Sequence, residues 1–132
     1  MSEILWIDKH ETLTIHAQQL AEHGGSDGVR DEGLLESALA RPQNLLAYSE
    51  ETPSLHELAA AYAFGIARSH PFVDGNKRTA LVVALTFLLV NGLKVTAPRD
   101  DRYFVFYDLA AGKFSEDELA QWFEVNTESV SK

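Results

Sequence analysis

The stretch Asn76-Lys77-Arg78-Thr79-Ala80-Leu81-Val82-Val83-Ala84-Leu85-Thr86-Phe87-Leu88-Leu89-Val90 decides the architecture. From Ala80 to Leu85 and from Phe87 to Val90 it is apolar on every side of a helix, which places the predicted helix in the middle of a domain. Its apolar run falls well short of the roughly 20 residues that cross a membrane. Asn91-Gly92 supplies the C-terminal stop, and Lys94-Val95-Thr96-Ala97 before Pro98 is at most a short edge strand.

A buried helix needs partners, and amphipathic segments lie on both sides of it. Upstream, Ser54 and Glu57 form a capping box for a helix that buries Leu55, Leu58, Ala59, Tyr62 and Ile66. Further upstream, Asp31 caps a short helix with Leu34, Leu35, Ala38 and Leu39, closed by Arg41-Pro42. The first helix starts at Asp8 with Glu11 as return partner, turns Leu13, Ala17, Leu20 and Ala21 inward, and stops at Gly24. Downstream, Tyr103 to Tyr107 is rich in strand-favouring types, yet Tyr103, Phe106, Tyr107 and Ala110 follow helical spacing, and helix is the reading adopted. Ser115 and Glu118 cap a last helix facing inward through Leu119, Trp122 and Phe123, and the polar tail after Val125 is expected to fray. The expectation is an all-α bundle of about six helices around a central buried helix, forming a single domain over residues 1–132 with at most a minor β element.

Composition narrows the function. The chain has 132 residues, 45% of them hydrophobic, and 11 basic against 20 acidic side chains leave a net charge of −9. That field repels nucleic-acid backbones and anionic membranes, so neither is an expected partner. With no cysteine there is no disulfide, thiolate metal site or thiol nucleophile. The start, Met1 to Asp8, lacks the basic stretch and long apolar run of a signal peptide, and the protein is expected to be cytoplasmic.

Chemistry concentrates immediately before the buried helix, in His70-Pro71-Phe72-Val73-Asp74-Gly75-Asn76-Lys77-Arg78-Thr79. A helix N-terminus offers free N–H groups and the positive end of a dipole, and Gly75 lets an anion approach the backbone closely. Lys77 and Arg78 add charge-assisted hydrogen bonds. Asp74 is an oxygen ligand of the kind magnesium accepts when phosphate and water fill the rest of its shell. An imidazole ordinarily titrates near 6.5, so His70 is suited to take a proton from an attacking hydroxyl. Phe72 reads as the anchor that ties the loop to the core. Taken singly these residues are unremarkable, since Asp74-Gly75 is a common turn and Lys77-Arg78 a common solvated helix start. Their conjunction points to phosphoryl chemistry. His10, His16, His23 and His56 stand outside any HExxH pattern and read as structural or solvated. Gly75-Asn76-Lys77 is not a P-loop, because the spaced glycine, the hydroxyl directly after lysine and the preceding strand are missing.

At these residues the chain resembles the Fic/Doc superfamily, whose Fic branch carries H-x-F-x-[D/E]-G-N-G-R-x-x-R. His70, Phe72, Asp74, Gly75, Asn76 and Arg78 match. Lys77 replaces the second glycine and Leu81 the final arginine, the pattern of the death-on-curing (Doc) toxins, whose motif ends as Asn76-Lys77-Arg78-Thr79-Ala80 does. The resemblance extends through Gly24-Gly25, Gly28-x-Arg30-Asp31, Gly33 to Ala38, Arg41-Pro42 and Asp108 to Gly112.

The resemblance implies a helical fold around the motif helix and an enzyme that modifies a protein hydroxyl with ATP and Mg2+. In the Fic branch AMP is transferred. In the Doc branch the nucleotide lies the other way round, the γ-phosphate faces the histidine, and the enzyme is a kinase. The substitutions fit such a swap: a lysine fills the space a glycine left and adds a cation, and loss of the last arginine removes a grip on distal phosphates. Carried over by motif position, His70 is the general base, Asp74 the magnesium ligand and orienter, Gly75 the anion-loop glycine, and Asn76, Lys77 and Arg78 the phosphate binders. Arg68, two residues before His70, either contacts nucleotide or serves the C-terminal dipole of its helix.

The implied target is a threonine of translation elongation factor EF-Tu, whose modification arrests protein synthesis. The inhibitory S/T-x-x-x-E-G/N motif of many Fic proteins does not occur in this sequence. Restraint is therefore expected from a separate antitoxin whose disordered segment folds into a groove. The expectation is a type II toxin–antitoxin kinase, with a protein adenylyltransferase and a non-catalytic binding module as the alternatives.

Overall fold

The computed structural model describes residues 3–130. The expectations for Met1, Ser2 and the last two tail residues lie outside them. The elements, in chain order, are α1 (Lys9–His23), α2 (Glu32–Tyr48), α3 (Leu55–Ser69), α4 (Asn76–Val90), β1 (Leu93–Val95), α5 (Arg99–Ala110), α6 (Glu116–Val125) and β2 (Thr127–Ser129). The protein is all-α, with one minor β element formed by antiparallel β1 and β2. Arg99–Ala110 is helical, because its inward spacing buries Phe106 and Leu109, and burial outweighs the strand preference of the aromatic run. Capping boxes start α1, α3 and α6 as their sequences predict.

Four features depart from the sequence reading. First, α2 does not close at Arg41-Pro42 but continues to Tyr48 with Pro42 inside it. Pro42 is buried and Leu45 and Leu46 pack on the core, so tertiary burial offsets the missing N–H at the proline. Second, α1 presents Thr12, Ile15 and His16 to the interior, while Ala17 and Ala21 are exposed. Thr12 and His16 are polar and drop out of an apolar count, yet both are hydrogen-bonded where they are buried. Third, the tail does not fray directly after Val125: Leu93 faces Ser129 and Val95 faces Thr127, giving the edge strand a partner.

Fourth, α4 shares the centre with α3, which is the more deeply buried of the two. Ala59, Ala60, Ala61, Tyr62 and Ala63 of α3 are each at most 1% exposed, whereas Leu89 and Val90 at the end of α4 face outward. The alanine-rich composition of α3 lets α2, α4, α5 and α6 all approach it. At Gly65 a Cβ would stand 3.1 Å from the Ala38 backbone of α2, so a larger residue there would have to push the two helices apart by a few tenths of an ångström.

Tyr62 ties the N-terminal segment to this centre. Its hydroxyl accepts from the Ile7 N–H at 3.0 Å and donates to the Ile7 carbonyl at 3.2 Å. Burial, partly opposed by the Ile7 hydrogen bond, pushes the phenol up to about 12. Below the unfolded value of 10.0 both states keep the proton and the group's contribution is complete; between there and about 12 only the folded state keeps it, so stability falls as pH rises. Tyr62→Phe is expected to cost about 1 to 3 kcal/mol at neutral pH, because it strands the Ile7 groups, and to flatten the alkaline decline. Urea titrations at two pH values check both.

Candidate functional site

The link between α3 and α4 is built by its own residues and by loops from two other elements. His70 caps α3 at φ 52, ψ 59, the one left-handed non-glycine among the described residues. Left-handed backbone costs a residue with a Cβ roughly 1 to 2 kcal/mol, and here it is held from outside. The Arg30 guanidinium donates to the Ser69 carbonyl at 2.8 Å and the His70 carbonyl at 2.7 Å, while the Arg30 and Asp31 N–H groups donate to the Pro71 carbonyl. Val29 and Phe72 form an isolated bridge. Phe72 is 1% exposed and fixes the loop to the core.

The Asn76 side chain closes the turn from within. Its Oδ1 accepts from the Phe72 N–H at 2.9 Å and its Nδ2 donates to the Phe72 carbonyl at 3.0 Å. This buried amide is a strut for the loop, and the part of Asn76 left to face an anion is its backbone N–H. Gly75, at φ 77, passes the chain into α4. No side chain caps α4, and no acidic residue lies in its first turn. The N–H groups of Asn76, Lys77 and Arg78 therefore open at the positive end of a helix without an acceptor among the described residues.

His70, Val73, Asp74, Gly75, Asn76, Lys77 and Arg78 line one cleft of about 320 Å³. Asp74 is exposed and oriented from both sides, its Oδ1 accepting from Gly75 at 2.9 Å and its Oδ2 from Ser26 at 3.3 Å. Among the described residues neither Lys77 nor Arg78 makes an ion pair, so their charge is not cancelled despite the acidic chain. The Lys77 ammonium sits 4.9 Å from the Tyr107 ring centre. Beyond Lys77 and Arg78 a second cleft of about 230 Å³ is walled by Leu81, Tyr103, Phe106 and Tyr107. Arg68 lies elsewhere: its guanidinium is 5.2 Å from the Phe64 ring centre, and it lines clefts beside Arg41 and beside Lys113.

The donor set suits a metal–polyphosphate. No group of three or more His, Cys, Asp or Glu side chains among the described residues could cage a metal. A single accessible carboxylate, Asp74, beside an open helix N-terminus suits Mg2+ that keeps phosphate and water as its other ligands.

Sequence reasoning passed over three supports of this site. Arg30 and Gly25 enter the sequence reading only within the segments that carry the resemblance, and His16 only as a structural or solvated histidine. At Gly25 an added Cβ would stand 2.9 Å from Asp74 Oδ2, whereas at Gly24 it would meet nothing within 4 Å. Both glycines have positive φ, so alanine at either strains the backbone. Gly25→Ala is expected to displace the Asp74 carboxylate and to slow any reaction that needs that carboxylate in place by about tenfold or more. Gly24→Ala is expected to lower only stability, by about 1 kcal/mol. Initial rates normalised to folded protein separate the two.

Comparison with known proteins points to one family. The sequence model of the Fic/DOC family matches residues 6–88. The chain is similar to a "Toxin Doc" of Mycolicibacterium smegmatis, 44% identical over 95 residues that cover 72% of this chain and 71% of that protein. It is also similar to a "Protein kinase doc" of Escherichia phage P1, 42% identical over 89 residues, covering 67% and 70% respectively.

Proposed function

The chain belongs to the Fic/DOC family, and from that premise we propose that it is a Doc-type toxin that phosphorylates a protein hydroxyl with ATP and Mg2+. One observation carries the reading: a histidine, a lone carboxylate and an uncapped helix end flanked by two cations without an ion pair among the described residues face one cleft. The relative named as a protein kinase supports phosphate as the group transferred.

His70 takes the proton of the target hydroxyl. Its oxygen bonds to the γ-phosphorus, the bond from that phosphorus to the bridging oxygen breaks, and ADP leaves. The N–H groups at the start of α4, with Lys77 and Arg78, hold the phosphate oxygens and stabilise the charge that spreads over them. Asp74 would hold Mg2+, which when bound neutralises phosphate charge. The aromatic cleft beyond Lys77 is positioned to take the base, since Lys77 and Arg78 line both clefts. Catalysis rests on positioning and charge compensation, because phosphoryl transfer asks little covalent chemistry of the protein.

The proposed target is a threonine of elongation factor EF-Tu, which puts the action in the cytoplasm and makes the protein an inhibitor of translation. A separate antitoxin is the proposed restraint. Purified protein with EF-Tu and either γ- or α-labelled ATP tests the reading. Label on EF-Tu from the γ position alone is expected, with a mass increase of one phosphate. Label from the α position identifies an adenylyltransferase instead. Cellular toxicity that persists unchanged in His70→Ala and Asp74→Ala identifies a binding module.

A further inference from the structure

His16 belongs to a different element from every residue proposed for the reaction, yet it touches the loop at its most consequential point. It is 3% exposed on α1, and its ring stacks on Phe72 with centroids 3.8 Å apart and planes 10° from parallel. Its Nε2 lies 2.8 Å from the Asp74 carbonyl oxygen. A carbonyl only accepts, so Nε2 carries the hydrogen of this contact.

The carbonyl of Asp74 and the N–H of Gly75 form one peptide unit, and in a trans peptide they point in opposite directions. His16 holds the carbonyl toward α1, and the Gly75 N–H reaches the Asp74 carboxylate at 2.9 Å. Gly75 itself gives this peptide no preference, because glycine adopts positive and negative φ about equally readily. Turned over, the peptide would take its N–H from the Asp74 carboxylate and direct carbonyl oxygen to the side the cleft uses for anions. The stack on Phe72 fixes the ring, and the ring fixes the peptide.

We propose that His16 is a positioning residue for phosphoryl transfer: its Nε2–H latches the Asp74–Gly75 peptide in the orientation that presents N–H, not C=O, to the carboxylate and the phosphate side of the loop. The role rests on the phosphotransfer reading given above, and its test includes a measurement that needs no phosphotransfer.

Three substitutions separate the latch from simple packing. His16→Phe keeps the stack and removes the donor. His16→Gln places an amide N–H near the Nε2 position without the ring. His16→Asn stops short of the carbonyl and supplies a donor-less variant of smaller volume should phenylalanine not fold. In the ligand-free full-length protein, the Gly75 amide observed by 15N NMR is expected to be shifted downfield and slow to exchange in wild type and His16→Gln. In His16→Phe and His16→Asn it is expected to lose both properties. With ATP and EF-Tu, kcat is expected to fall about tenfold or more in the donor-less variants and to recover in His16→Gln, without tracking melting temperature. An unchanged Gly75 amide in the donor-less variants overturns the proposal, as does activity that follows melting temperature alone. Absence of phosphotransfer in wild type, with the NMR pattern intact, overturns the kinase reading and leaves the latch standing.

Discussion

His70→Asn is expected to lower phosphoryl transfer by about 10²- to 10⁴-fold, the range a positioned general base supplies, while the fold and nucleotide binding persist. Asparagine is the informative replacement because residue 70 sits at φ 52, where asparagine is tolerated and most other types are strained. His70→Ala removes the same base but adds backbone strain, so its loss mixes two causes. Single-turnover rates with bound nucleotide measure the chemical step directly. Unaltered turnover in His70→Asn would rule out His70 as base.

Asn76→Ala is expected to remove activity by a different route, through stability and loop geometry together. The amide bridges the N–H and the carbonyl of Phe72 at 2.9 and 3.0 Å, and both bonds are buried. Alanine leaves two backbone groups unsatisfied at about 1 to 3 kcal/mol each, so a loss of about 2 to 6 kcal/mol follows. Asn76→Asp can still accept from the Phe72 N–H but cannot donate to its carbonyl, and it adds a negative charge beside the anion site. Its expected stability lies between alanine and wild type, while its affinity for ATP falls below both. Denaturant titration and calorimetry with ATP check the two halves. Full stability in Asn76→Ala would mean that the strut does not hold the loop.

The motif was legible because its parts are adjacent in sequence. His70, Asp74, Gly75, Lys77 and Arg78 reach one cleft through a single turn and the first residues of α4. Asn76 was legible as a member of that site, but not as a strut, because an amide's partners depend on how the chain folds back on itself. The buried face of α1 was misplaced for a related reason. Thr12 and His16 bury polar side chains whose hydrogen bonds make them compatible with the interior, and an apolar count passes over them. Pro42 shows the opposite error, a local breaker overruled by the burial of Leu45 and Leu46 beyond it.

By itself the sequence determined where most helices start and which segment holds the candidate site, while its signals at Tyr103–Tyr107 pointed both to strand and to helix. Helix caps and apolar spacing act between residues three or four apart, so their signals are written locally. Only the tertiary structure decided that α3 shares the centre with α4, that the tail finds β1, and that Arg30, Gly25 and His16 hold the loop. His16 and Asp74 are 58 residues apart. A contact over that separation exists only after the core has formed, and no local preference encodes it.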